Sequence, residues 1–300
     1  MKVFLKLIDL FRSPKEAVIG VGLSHVFLLF FSQNGETTTI DKEMVRFFKA
    51  VDNMSFKIKT TWLRLMMHHK LCINGKWYGQ AFSPYKRFNA SDSGWNEKWF
   101  DKMEEFVRKA DKLRITTGLS LIDGNNADLG PYPLGDYIKE VTVEQEAYFR
   151  KVLGRLGSWK DAEYFPKYRF VLEPTNEHFG HTQYPTTLWM GNAVKLLKEL
   201  TSNKIQVGAW HKRFPSNADF HVIHSGIGAA GIGWVCNEEQ TASGEWGGGD
   251  TELAYRTLLQ KHCPNGVVMI FANWNEALLP VPFAQNQIKA LEWGHNQGWY

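Results

Sequence analysis

Apolar and polar positions alternate along this chain in two repeating textures. Short, nearly continuous apolar runs occur at residues 17–24 (AVIGVGLS), 60–69 (TTWLRLMMHH), 114–123 (RITTGLSLID), 168–174 (YRFVLEP), 204–210 (KIQVGAW), 219–225 (DFHVIHS), 231–238 (GIGWVCNE) and 266–274 (GVVMIFANW). Runs of this length and texture are how strands covered on both faces read. Between them apolar residues recur at helical spacing. Met44, Phe47, Phe48 and Val51 follow the N-cap candidate Asp41, and Trp99, Met103, Phe106 and Ala110 repeat the period. Thr142 with Gln145 makes a capping-box signature ahead of EAYFRKVLGRL. Leu188, Ala193, Leu196 and Leu200 mark a further helix, and TELAYRTLLQKH and FAQNQIKALEWG close the series. The stretch GIGAAG after the sixth run is too short and glycine-rich to predict a full helix.

Eight strands, each followed by a helix or a short substitute, predict an α/β fold of the (β/α)8 barrel type. No composition shift or low-complexity tract marks a linker, so residues 1–300 are expected to form a single domain. The longer insertions, at roughly 70–95, 124–141 and 240–250, all follow strand ends. They therefore belong to the carboxyl-terminal face, where barrels of this type carry their sites.

Composition narrows the function classes. A hydrophobic fraction of 44% suits a chain with a sizeable core. Lys and Arg number 35 against 31 acidic residues with no basic run, which argues against a nucleic-acid partner. Cys72, Cys236 and Cys263 form no C-x-x-C pair and no metal-ligand spacing. The first residues, MKVFLKLIDLFRSPKEAV, are interrupted by Asp9 and Arg12 and lack a small-residue cleavage site, so no signal peptide is read there. The longest apolar stretch, HVFLLFF, is far too short to span a membrane, and the expectation is a soluble protein without a membrane partner. Twelve Trp residues supply flat apolar faces suited to the C–H faces of sugar rings as well as to core packing.

The strand ends are polar. The second run offers Arg64, His68 and His69; the third Asp123, Asn125 and Asn126; the fourth Asn176 and Glu177. The fifth offers Trp210 and His211, the sixth His224, the seventh Asn237, Glu238 and Glu239, and the eighth Trp274, Asn275 and Glu276. Carboxyl groups on the fourth and seventh strands of a barrel lie across its axis from one another. Such a pair suits acetal hydrolysis, one group protonating the leaving oxygen while the other stays ionised to attack or stabilise the oxocarbenium-like centre.

The stretch Glu173 to Glu177, E-P-T-N-E, resembles the E-x-x-N-E signature on the fourth strand of the large clan of retaining (β/α)8 glycoside hydrolases that includes cellulases, mannanases and β-galactosidases. The resemblance implies an O-glycosidase acting on a carbohydrate substrate, expected to be β-linked, and needing no cofactor. It implies Glu177 as acid/base and a nucleophile at the end of the seventh strand. There Glu239 is favoured, with Glu238 as the alternative because adjacent strand positions face opposite ways. It further implies Asn176 on the sugar 2-hydroxyl, Arg64 orienting the nucleophile, His224 beside them and Trp274 as the sugar platform. Two departures stand out. His178 rather than Pro follows the acid/base, and the third strand ends in Asp123 rather than His, which leaves Asp123 as the distal sugar contact.

Other readings attach to the same residues. Glu173 shares strand parity with Glu177 and is read as a buried partner for Arg64. Cys236 is read as a small buried hydrophobe. Glu245 in GEWGG looks like a nucleophile motif but has no strand before it. Trp95, Trp99 and Trp293 fall in helical patterns and are expected in the core, whereas Trp210, Trp246 and Trp274 fall at strand ends or in a long loop and are the better sugar platforms. The alternative functions are a carbohydrate-binding barrel without catalysis and a metal-dependent hydrolase built on His68 and His69. The latter is disfavoured because the first strand offers only His25 and no H-x-H.

Overall fold

The computed structural model describes residues 19–23, 62–67, 72–73, 76–77, 84–87, 90–122, 138–175, 186–210, 215–223, 234–238, 251–253, 256–257, 260, 267–271 and 285–297. The helix expected after Asp41 and most of the 124–141 and 240–250 loops lie outside these residues. In chain order the strands are β1 (Ile19–Leu23), β2 (Trp62–Met66), β3 (Cys72–Ile73), β4 (Lys76–Trp77), β5 (Tyr85–Arg87), β6 (Ala90–Trp95), β7 (Thr116–Ser120), β8 (Gly157–Lys160), β9 (Glu163–Pro166), β10 (Phe170–Glu173), β11 (Gly208–Trp210), β12 (Phe220–Ile223), β13 (Trp234–Glu238) and β14 (Val267–Phe271). The helices are α1 (Glu97–Lys112), α2 (Val143–Leu156), α3 (Thr187–Leu200) and α4 (Gln285–Asn296). Each of the eight apolar runs contains a strand: β1, β2, β7, β10, β11, β12, β13 and β14.

The chain divides into two compact units, one of Leu23–Lys49 with Leu63–Asp219 and one of Met1–Gly22, Ala50–Trp62 and Phe220–Tyr300. In the first, β7 and β10 pair in parallel with Phe170 beside Thr117 and Glu173 beside Ser120. Every residue of both strands is buried, which explains why neither shows polar alternation in the sequence. On the far side of β7 the Met67 amide donates to the Ser120 carbonyl at 2.9 Å, extending the sheet to β2. On the far side of β10, Leu172 bridges Val207 in parallel just ahead of β11.

Helices cover this sheet because their apolar residues form one stripe. On α1 the stripe is Trp99, Phe100, Met103, Phe106, Val107 and Ala110, all fully buried, with Glu97 in the first turn and Lys109 and Lys112 in the last, the order the helix dipole favours. Aromatic edges lock it in place. The Trp99 and Phe100 rings meet edge to face at 4.9 Å, and Tyr148 of α2 lies 6.2 Å from Trp99. The capping box read from the sequence is present on α2. The Gln145 amide donates to Thr142 Oγ1 at 3.2 Å and the Thr142 amide to Gln145 Oε1 at 3.0 Å, an arrangement that stabilises a helix by about 1 kcal/mol. On α3 the buried stripe is Trp189, Met190, Ala193, Val194, Leu197 and Leu200. Leu188 is instead 54% exposed and Leu196 half-buried, so the stripe is rotated from the one the leucine spacing suggests, because the large Trp189 and Met190 side chains take the inward positions.

Three antiparallel pairs decorate the parallel frame. Two lie in the 70–95 insertion: β3 with β4, and β5 with β6. Trp95 is the last residue of β6 rather than part of a helix, stacked on buried Tyr85 at 5.1 Å. The third pair, β8 with β9, has no counterpart in the sequence reading. Lys160 faces Glu163, so Asp161 and Ala162 form a two-residue turn, and both take the left-handed backbone such hairpins require, with φ of 52° and 63°.

The second unit has the same parallel texture, in the order β1, β14, β13, β12. Ile19 to Gly22 run beside Val268 to Phe271, and Val235 to Glu238 beside Val267 to Ile270. Outside the sheet, Arg256 is ion-paired to Glu252 and its guanidinium lies 4.9 Å from the ring of Trp293 on α4. Among the described residues no helix is long and apolar enough to cross a membrane.

Candidate functional site

The carboxyl ends of β7 and β10 belong to the region that the sequence marks as functional. Beyond the last register pair, Glu173 with Ser120, the ladder continues for one more bond, in which the Leu121 amide donates to the Glu173 carbonyl at 2.9 Å. The Leu121 carbonyl in turn accepts the Tyr148 hydroxyl at 2.9 Å, tying the strand end to α2. Leu121 and Ile122 are buried, and so are Glu173 and Thr175. The backbone is therefore held firmly up to the points where the chain leaves for Asp123 on one strand and for Asn176 and Glu177 on the next.

The far ends of those two connections are also fixed. The Trp189 indole N–H donates to buried Gln145 Oε1 at 2.9 Å, joining the first turns of α2 and α3. The hydroxyl of Thr186, the N-cap of α3, bonds the Ile138 carbonyl, and Asn192 Nδ2 donates to the Lys139 carbonyl at 2.9 Å. Each connection thus starts on an anchored strand and enters an anchored helix. Tyr85, buried beneath Trp95, belongs to the same unit. Burial pushes its hydroxyl well above the ordinary tyrosine range, with the charge of Glu144 adding to the effect, so it stays protonated.

Of the catalytic and sugar-binding residues expected from the sequence, three have a described backbone. Arg64 lies within β2, Trp210 ends β11, and Glu238 ends β13 beside Ile270 of β14. Asp123, Asn176, Glu177, His224, Glu239, Trp246 and Trp274 lie outside the described residues, as do His68 and His69. By chain position Glu177 follows the end of β10 by four residues, His224 and Glu239 follow β12 and β13 directly, and Trp274 follows β14 by three. Among the described residues no group of three His, Cys, Asp or Glu side chains is placed to hold a metal ion.

Two buried polar positions escaped the sequence reading. The hydroxyls of Ser120 and Thr175 are buried with no hydrogen-bond partner among the described residues, one beside Glu173 in the ladder and the other two residues beyond it. The signal for Ser120 was present: it interrupts the apolar run GLSLI at the strand's carboxyl end, where a hydroxyl has no packing purpose.

No protein-family model matches the chain, and no curated protein sequence does. Solved structures do match. The chain is similar to a GH5_18 protein from Bifidobacterium longum subsp. infantis, with a TM-score of 0.63 and 12% identity over 94% of this chain and 79% of that one. It is similar to the endo-β-1,4-mannanase of Thermotoga petrophila, with a TM-score of 0.60 and 11% identity over 94% of this chain and 77% of that one. A third, endo-glycoceramidase II from Rhodococcus sp., solved as a lactosyl-enzyme intermediate, gives a TM-score of 0.55 and 9% identity over 92% and 78%. These neighbours are (β/α)8 barrel glycoside hydrolases, and the likeness to them is one of fold alone, carried by the parallel strands and the helices between them.

Proposed function

We propose that this chain is a glycoside hydrolase built as a single (β/α)8 barrel, cleaving β-linked oligo- or polysaccharide with retention of configuration. The observation that carries the reading is the fourth parallel strand, β10, which ends in a buried Glu173 and leads within four residues to the Asn176–Glu177 pair. The likeness to glycosidases over more than nine-tenths of the chain supports it, as does a covalent glycosyl-enzyme in one of those neighbours.

In this reading Glu177 protonates the glycosidic oxygen while Glu239 attacks the anomeric carbon, forming a glycosyl ester and releasing the first sugar. Glu177, now a carboxylate, takes a proton from water, which attacks the same carbon and frees Glu239. Glu238 is the alternative nucleophile. Asn176 holds the 2-hydroxyl, where hydrogen bonds strengthen in the transition state. Arg64 and His224 orient the nucleophile, Trp274 floors the cleaving subsite, and Trp210, Trp246 and Asp123 contact the more distant sugars. Two carboxyl groups suffice for this chemistry, so no cofactor or metal takes part.

The test is hydrolysis of a panel of β-linked polysaccharides and aryl glycosides by the purified protein, with Glu177→Gln, Glu239→Gln and Glu238→Gln alongside. Loss of an acid/base costs roughly 10²- to 10⁴-fold in turnover. Glu177→Gln is expected to fall by that amount with an unchanged melting temperature. Turnover like the wild type's removes Glu177 from the mechanism, and sugar binding without cleavage by any form identifies a non-catalytic carbohydrate-binding barrel instead.

A further inference from the structure

We infer that Tyr148 is a positioning residue, whose buried hydroxyl anchors the carboxyl ends of both β7 and β10 at the point where they leave for the candidate site. Successive carbonyls of a strand in a parallel sheet point to opposite edges. The Ser120 carbonyl points toward β2 and accepts the Met67 amide at 2.9 Å, so the Leu121 carbonyl points to the other edge, the one that β10 lines. On that edge it accepts the Tyr148 hydroxyl at 2.9 Å. The amide of the same residue donates to the Glu173 carbonyl of β10, also at 2.9 Å. Leu121 thus joins three elements, and one side chain of α2 holds the last rung of the ladder. From that rung the chain has two residues to Asp123 on one strand and four to Glu177 on the other.

The phenol is held in place by its surroundings. Tyr148 is 0% exposed, and its ring lies 6.2 Å from that of Trp99 and 6.5 Å from that of Phe100, both on α1. A phenylalanine would fill the same space. The added oxygen costs free energy when it is taken out of water unless it is bonded, and its bond is to the strand end. Gln145 lies three residues earlier on the same face of α2 and accepts the Trp189 indole N–H of α3 at 2.9 Å. The connection that carries Asn176 and Glu177 therefore starts from a rung tied to Tyr148 and enters a helix tied to Gln145, so a single face of α2 fixes both of its ends.

The catalytic consequence rests on the glycosidase reading. There Glu177 must come within hydrogen-bond reach of the glycosidic oxygen, and a misplacement of about 1 Å costs on the order of 10²-fold in rate. Tyr148 acts on that placement through the backbone of Leu121 and Glu173, without touching the sugar.

Tyr148→Phe deletes the oxygen and leaves the ring, and Val152→Ala, at a 0% exposed position one turn further along α2, serves as a control that weakens the same helix without touching the bond. Both variants are expected to melt roughly 2–6 °C lower than the wild type. Hydrogen exchange read by mass spectrometry separates them without reference to activity. Tyr148→Phe is expected to speed exchange in peptides spanning 116–122 and 170–175 at least about fivefold more than Val152→Ala does. Rates in those peptides that match the control's overturn the anchor.

On a substrate that the wild type hydrolyses, assayed well below both melting points, Tyr148→Phe is expected to lower kcat at least about tenfold with KM changed less than about threefold, while Val152→Ala keeps both near the wild-type values. An unchanged kcat, a KM effect alone, or an equal loss of kcat in Val152→Ala overturns the positioning role. If the wild type hydrolyses nothing, exchange still decides the anchor, and only the glycosidase reading fails.

Discussion

At Gly157 the chain passes from the last turn of α2 directly into β8, and a Cβ there would lie 2.3 Å from the Tyr164 ring and its hydroxyl and 2.7 Å from the Phe165 carbonyl. Tyr164 cannot give way, because it is fully buried and its hydroxyl donates to the Leu153 carbonyl at 3.0 Å. Gly157→Ala is therefore expected to destabilise by about 1–3 kcal/mol. Five residues on, the sign reverses. Ala162 holds a φ of 63°, where a Cβ is a burden, and its exposed turn position leaves room for change. Ala162→Gly is expected to raise the melting temperature by about 1–2 °C, since relief of the left-handed strain outweighs the added freedom of the unfolded chain. Thermal unfolding of the two variants side by side checks both, and a shared sign contradicts the account.

Between elements, the packing of α1 against α2 is reinforced by charge. Glu97 accepts Lys151 and Arg155, each at 2.7 Å, and Arg155 also meets Asp101 at 2.9 Å and Glu104 at 3.7 Å. The hydrogen bond from Lys151 is the main reason the Glu97 carboxyl titrates below the ordinary glutamate range, with Arg155 adding to it and partial burial opposing. A depressed folded-state pKa stabilises above the unfolded value and ceases to do so as pH falls through the folded one. Glu97→Gln is thus expected to melt lower than the wild type near neutrality, with the gap closing below the usual carboxylate range. The effect stays under about 1 kcal/mol because the carboxyl is half exposed. A gap that persists at acid pH points to packing instead.

Element by element, legibility followed burial. The strands β7 and β10 could be read because strands covered on both faces leave unbroken apolar runs, and Thr142 with Gln145 announced α2. The hairpin of β8 and β9 could not, because its turn, Asp161–Ala162, carries neither the Asn nor the Gly that ordinarily signals a two-residue loop. The Asn74–Gly75 pair between β3 and β4 did carry that signal, and its two-residue flanks were too short to read as strands.

At the scale of the molecule, stability is expected to be uneven. Thr117, Leu121 and Leu172 are buried, and their amides donate to the carbonyls of Arg169, Glu173 and Gln206 at 3.2, 2.9 and 3.0 Å. Hydrogen exchange read by mass spectrometry is expected to be slowest in peptides spanning 116–122 and 170–175 and fast across 158–163, whose side chains are exposed. Equal rates contradict the assignment of the core. The candidate site was readable only as chemistry hung on strand ends: the resemblance to retaining glycosidases implies Glu177 and Glu239, but a pleat argument cannot choose between Glu238 and Glu239 where a strand gives way to a connection. Glu173 was the exception, since its parity with Glu177 and its place inside an apolar run marked it as buried from the start.

The hairpin of β8 and β9 precedes the amino end of β10, whereas Asn176 and Glu177 follow its carboxyl end, so the full length of a buried strand separates the two. Its tip at Asp161 and Ala162 is exposed, while its base is bound to Ser202 through the Tyr164 amide and to Leu200 through the Trp159 indole. That combination makes the tip a natural handle. A dye, an affinity tag or a surface tether grafted there would report on or immobilise the protein while leaving the strand end that leads to Glu177 unencumbered.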